Sequence, residues 1–181
     1  SVPLQIVFSF CIALMLNSNI KGKSVFRTIF YLPTIVPAVA SSIVWMMMFD
    51  PDTGFLNTLL KAAGLPASKW IYGESTAIPS LALMSLWTVG GTVVIFLAGL
   101  QNVPKELYEA VDVDGGGWFS KLKAVTIPMV SPTIFFNLVM SFISSFQVFS
   151  QAYIMTSGGP NNATLFYVYY MYREAFQYGN I

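Results

Sequence analysis

Few side chains in this sequence could carry covalent or metal chemistry. Histidine is absent, Cys11 is the lone cysteine, and the apolar segments hold no cysteine pair or carboxylate cluster at metal-ligand spacing. A membrane-embedded enzyme would need a nucleophile and base facing a cavity, and the means for that are few. Cys11 can form no intrachain disulfide and reads as a small hydrophobe facing lipid or a helix. What remains is hydrogen bonding. The apolar run 127–155 carries Asn137, Ser141, Ser144, Ser145, Gln147, Ser150 and Gln151, and the run before it adds Trp87, Thr88 and Gly91. Uncharged amides and hydroxyls cost less at membrane depth than charges do, and they suit a polar neutral ligand. The same Ser and Gln residues would serve equally as interhelical hydrogen bonds, and Gly90-Gly91 as close-packing positions.

The elements that must position these groups are membrane helices. Hydrophobic residues make up 55% of the 181 positions and charged residues only 9%, where a soluble domain carries about a quarter charged residues. A net charge of +1 provides no basic face for a nucleic acid. A spanning helix needs about 20 mostly apolar residues, and the charge-free runs are 2–16, 28–49, 77–100 and 127–155. The first is shorter than a full span, as expected of a chain cut at its start. Pro128 and Pro132 put the membrane part of the last run near Thr133. Pro33 and Pro37 predict a kink, a late helix start or a gating hinge in the second.

Lys and Arg orient the runs. The first connection holds Lys21, Lys23 and Arg27 with no acid, and the third, 101–126, holds Lys105, Lys121 and Lys123; both read as cytoplasmic. The second, 50–76, is balanced in charge, opens on the turn sequence Asp50-Pro51-Asp52-Thr53-Gly54, and reads as external. The uncharged 157–162 connection falls outside by alternation. The tyrosine-rich tail 163–181 is too short and polar for a clean span and suits an interfacial helix. The expected fold is an all-α, polytopic helical bundle.

The third connection has the form of a coupling device. Asn102 and Pro104 supply helix-start chemistry, Glu106 and Glu109 favour the positive dipole end, and Gly115-Gly116-Gly117 stop the helix. Leu107, Ala110, Val111 and Asp114 share one face by spacing, with Leu107 and Val111 as knobs and Ala110 permitting close approach. A second amphipathic piece from Trp118 and Phe119 leads into the next span. A charged helical hairpin lying on the membrane surface would have the same pattern.

The spacing carries a resemblance. Glu109-Ala110-Val111, three residues, Gly115, nine residues, then Val125-Thr126-Ile127-Pro128 resembles the EAA loop of binding-protein-dependent ABC importer permeases, with Val111 in place of the third-position alanine. Asn19 to Thr28 followed by Leu32-Pro33, then Trp45 to Phe49, Gly54-Phe55-Leu56-Asn57, Gly158-Gly159-Pro160 with Thr164, and Tyr172 to Phe176 are similar to the MalF-like carbohydrate branch.

The resemblance implies the type I importer permease fold over the whole chain, 1–181, truncated at both ends and holding four to five of six core helices, with an EAA coupling loop at 101–128. It implies a non-catalytic, multi-pass subunit of the bacterial inner membrane that moves a sugar or polyol by alternating access and binds no cofactor itself. The partners implied are cytoplasmic ATPases, a second homologous permease and an external solute-binding protein, since this chain has no Gly-x4-Gly-Lys-Ser/Thr loop of its own. Glu106, Leu107, Glu109, Ala110, Val111, Asp114 and Gly115 would couple to the ATPase. Trp87, Thr88, Gly91, Ser144, Ser145, Gln147 and Gln151 fall in the family's substrate region. A secondary transporter or channel is the rival reading; it expects buried ionisable groups or inverted repeats, and the four runs carry no charge.

Overall fold

A computed structural model describes residues 1–18 and 22–179; Asn19, Ile20 and Lys21, used above for orientation and resemblance, lie outside the described residues. The helices are α1 (Val2–Asn17), α2 (Lys23–Ile35), α3 (Ala38–Met48), α4 (Phe55–Ala62), α5 (Glu74–Trp87), α6 (Gly90–Gln101), α7 (Lys105–Val113), α8 (Trp118–Lys121), α9 (Ile127–Phe146) and α10 (Tyr167–Tyr172). No strand occurs among the described residues, as the all-α expectation requires. The chain divides into two compact units, Val2–Thr34 with Trp87–Phe142, and Ile35–Leu86 with Ile143–Ile181 and Ser1.

In the unit containing α1, Val2, Ile6, Ser9, Ala13 and Leu16 recur every three or four residues and form its buried stripe. That stripe packs on Val93, Phe96, Leu97 and Leu100 of α6. Ser9 donates its hydroxyl to the Gln5 carbonyl, so no unpaired polar group enters the seam. Cys11 lies on the exposed side of α1. Gly90 seats α6 on α2, because an added Cβ would run into the Phe30 carbonyl oxygen and the Thr34 hydroxyl. Gly99 likewise admits Thr133 of α9.

The other unit gathers Phe49, Ile71, Met84 and Met155, flanked by Trp45, Leu56, Trp70 and Leu81. Residues 50–76 are a built element. Asp50 accepts hydrogen bonds from the Thr53 N–H and hydroxyl and from the Asp52 N–H. Those bonds, the Thr53 N–H foremost, hold its carboxyl below the ordinary carboxylate range. Asn57, buried on α4, donates to the carbonyls of Pro51 and Ser68 and accepts from the Ser68 N–H and the Trp70 indole N–H. This one side chain uses its full hydrogen-bonding capacity to close the segment. Asn57→Leu would orphan the Trp70 and Ser68 donors, at roughly 3 kcal/mol. Trypsin cleavage at Lys61 and Lys69 should then rise about a hundredfold through local opening; an unchanged rate would mean that Asn57 does not hold the segment.

Three of the four apolar runs are not single helices. Run 28–49 breaks at Val36–Pro37, where Pro37 takes φ −55° and ψ 137° ahead of α3. Pro33 sits inside α2 without ending it, so of the two prolines only Pro37 starts a helix. Run 77–100 breaks at Thr88–Val89, before the Gly90-Gly91 pair. The helix that carries the last run begins ahead of it: it is continuous from Trp118 through a wide turn at Leu122–Thr126 to Phe146, with Pro128 in the first turn of α9 and Pro132 within it. It stops at 147–149 instead of running to Met155. Trp118–Phe146 is long and apolar enough to cross a membrane; α2 with α3, and α5 with α6, reach that length only as broken pairs.

The tail is helical, but its aromatic rings are not all turned outward. Tyr169 is buried, and Tyr169 and Tyr172 pack edge-on against Phe149 and Tyr153 at ring separations of 5.2 to 6.1 Å. In the adjoining turn Ser157, Asn161 and Asn162 take positive φ, Thr164 is buried and donates to the Gly159 carbonyl, and Asn161 donates to the Glu74 carboxylate.

Candidate functional site: the loop between α6 and α9

Asn102 caps the end of α6, so the helix-start role falls to Pro104 alone, whose extended backbone leads into α7. Proline loses nothing there, because the first N–H groups of a helix have no internal partner. Glu106 and Glu109 are exposed in the first turns. At the other end Asp114 is the cap, and Gly115 turns the chain at φ +73°. The Gly116 N–H reaches the Val111 carbonyl at 2.8 Å and the Gly115 N–H the Asp112 carbonyl at 3.0 Å. This paired closure is the Schellman stop that the glycine run predicts.

Two faces of α7 differ in what they meet. Tyr108 and Val111 turn inward and pack against the core cluster that holds Val103, Val125 and Val130. The Tyr108 hydroxyl shares a hydrogen bond with the Thr126 hydroxyl at 3.1 Å, and Lys121 pairs with Asp112 at 2.6 Å. The ion pair is largely solvent-exposed and contributes little to stability; packing and the Tyr108 bond fasten α7 to the base of α9. Leu107, Ala110, Val113 and Asp114 face outward, with Val113 88% exposed and Leu107 38%. The face expected from spacing is therefore divided: Leu107, Ala110 and Asp114 stay accessible, while Val111 is half-buried against its own chain. Val113, absent from the expected set, is the most open apolar group on the helix. Trp118 and Phe119 are also exposed just beyond it.

The candidates proposed for a polar ligand occupy helix breaks. In the unit with α6, Trp87 ends α5, Thr88 lies in the break, and Gly91 opens α6 with nothing within 4 Å of the space its Cβ would fill. In the other unit, Ser144 and Ser145 form the last turn of α9, Gln147 donates its N–H to the Ser144 carbonyl at the break, and Gln151 enters the following wide turn. Asn137, by contrast, is buried and donates to the Thr133 carbonyl of its own helix, as a structural polar group does. The described residues hold no group of three or more His, Cys, Asp or Glu side chains able to bind a metal.

Residues 5–179 match the family model for the inner membrane component of binding-protein-dependent transport systems. The chain belongs to that family. Relatives of this inner membrane component include the probable ABC transporter permease YesP of Bacillus subtilis, 41% identical over 98% of this chain and 58% of its own length. The trehalose/maltose permease MalF of Thermococcus litoralis is 33% identical over 91% of this chain and 56% of its own. The arabinooligosaccharide permease AraP of Bacillus subtilis is 31% identical over 94% and 56%. The chain thus spans less than two thirds of the length of these relatives. Its fold also matches a chain of a bacterial alginate ABC transporter, solved with an alginate-pentasaccharide-bound periplasmic protein, at TM-score 0.86, 24% identity and 99% coverage of this chain and 64% of that one. The all-α permease fold expected from the sequence is the fold observed.

Proposed function

We propose that this chain belongs to a multi-pass permease subunit that imports a neutral saccharide by alternating access, driven by a separate cytoplasmic ATPase docked on α7. The carrying observation is the division of α7: one face is fastened by Tyr108 and Val111 to the base of a continuous membrane-length helix, while Leu107, Ala110 and Val113 stay open. A helix with a clear apolar face presents anchors to a partner groove, and its inner face passes displacement to α9. Glu106, Glu109, Asp114 and the Gly115 stop complete the proposed coupling loop, 101–128.

The sugar assignment draws on the relatives named for trehalose/maltose and arabinooligosaccharides. It also draws on chemistry: Trp87, Thr88 and Gly91 in one unit, and Ser144, Ser145, Gln147 and Gln151 in the other, offer aromatic, hydroxyl, amide and backbone groups without charge. Backbone interrupted at membrane depth is tolerated where it lines a cavity or is buried in protein. A second homologous permease and an external solute-binding protein complete the proposed assembly.

The test is a cysteine cross-linking scan of positions 105–118 in the full-length protein, with Cys11 replaced, against its co-expressed ATPase. Cysteines at 107, 110, 113 and 114 should cross-link in a manner that changes with ATP, and those at 108 and 111 should not. Equal reaction at all positions, or none in an assembled complex, would remove α7 as the coupling element.

A further inference from the structure

We infer that α4 is a membrane-surface helix, seated in the lipid interface at the end of α3 through Phe55, Leu59 and Ala62. The helix advances about 100° per residue. Its inner side is settled, with Asn57 buried, Leu56 packed against the core of its own unit and Leu60 half-buried. The opposite side carries Phe55, 58% exposed, Leu59, 51% exposed, and Ala62. Thr58 adds no unmet polar group, since its hydroxyl donates to the Gly54 carbonyl. Lys61 stands at the flank, where a long stem lets the ammonium reach headgroups while the backbone lies flat. With the inner side already seated, the outward Phe55, Leu59 and Ala62 need an apolar medium of their own, and an interfacial helix meets that need.

The level of α4 identifies the medium. Gly54 is pressed so closely on the last turn of α3 that an added Cβ would lie 2.7 Å from the Met48 carbonyl oxygen. Phe55 therefore begins α4 beside the end of α3, not at the tip of a long loop. Along α3 the residues Val39, Ile43 and Met47, four apart, form an exposed apolar stripe that ends at Met47, 71% exposed, beside that contact. In an inner membrane component such a stripe faces acyl chains. Phe55, at the start of α4, is thus set beside the end of that stripe, at the depth where the bilayer gives way to headgroups. Asp52, exposed in the intervening turn, marks the water side. The inference rests on membrane insertion and not on ATPase docking at α7.

Spin labels distinguish the media directly. In a cysteine-free full-length permease, with Cys11→Ser, nitroxides at Leu59→Cys and Phe55→Cys would be compared with Met47→Cys and Asp52→Cys in phosphatidylethanolamine/phosphatidylglycerol nanodiscs. Collision with oxygen should dominate over collision with a water-soluble nickel chelate at 55 and 59, as at 47 and opposite to 52. Nickel accessibility at 55 and 59 equal to that at 52 would overturn the inference. So would nickel accessibility that disappears only when the external solute-binding protein is added, which would make the face a protein dock. Neither result bears on cross-linking at α7, so the two readings fail separately.

Discussion

Gly115→Val in the assembled, reconstituted transporter is expected to leave ATP hydrolysis running while uptake per ATP falls about thirtyfold. Gly115 holds φ +73°, and an added Cβ would meet nothing within 4 Å, so the effect is conformational and not a collision. A β-branched residue in the left-handed region costs about 2 kcal/mol, and the chain can relieve it by giving up the two hydrogen bonds that close α7. Both bonds end near Val111, the residue that packs α7 inward. Loosening it frees the helix from α9 without dissolving either, and 2 kcal/mol lost from coupling corresponds to about thirtyfold. Gly115→Asn should be milder, since asparagine tolerates that conformation. Proteoliposomes assayed in parallel for uptake and hydrolysis decide the matter: normal transport in the valine variant would show that the stop of α7 does not transmit force.

Gly90→Leu should act at a different level, preventing recovery of folded permease. The atoms nearest an added Cβ at position 90 are the Phe30 carbonyl oxygen, the Thr34 hydroxyl and the Tyr31 Cα, two of them backbone that cannot swing aside. Separating α6 from α2 to make room costs about 3 kcal/mol or more. Size-exclusion chromatography of the solubilised protein and its thermal midpoint measure the loss. Gly91→Leu is the matched control, because the adjacent position has open space; its stability should be near wild type. A full-strength Gly90→Leu protein would mean that α6 and α2 do not meet at that glycine.

These two glycines also mark what sequence could and could not reveal. The Gly115 stop was legible, since a glycine run after an amphipathic stretch has one common local solution, and the EAA spacing placed it in a loop before a span. The extent of the first apolar run agrees with α1 to within one residue. The breaks at 88–89 and 147–149 were not legible, because hydropathy counts residues along the chain and carries no record of what α6 rests on. Pro33 and Pro37 are alike in sequence, and only the backbone separates the helix interior from the helix start. Along α7, residues 107, 110, 111 and 114 share a face by period, yet 108 and 111 share another. Choosing between them required the Thr126 hydroxyl, eighteen positions away from Tyr108. Asn57 joins partners eleven and thirteen positions distant, so the closure of 50–76 had no local signal either.

The unbroken helix from Trp118 to Phe146 has a mechanical consequence through its contact with Gly99. Thr133, the residue that Gly99 admits, lies about 22 Å along the axis from Trp118 and about 20 Å from Phe146 at 1.5 Å per residue. That contact is not a lone one: Val125 and Val130 are buried in the same core cluster and Ile134 packs on it, so the rod is gripped over more than two turns around Thr133. A rod gripped over such a length carries a tilt as a whole and has no hinge at Thr133.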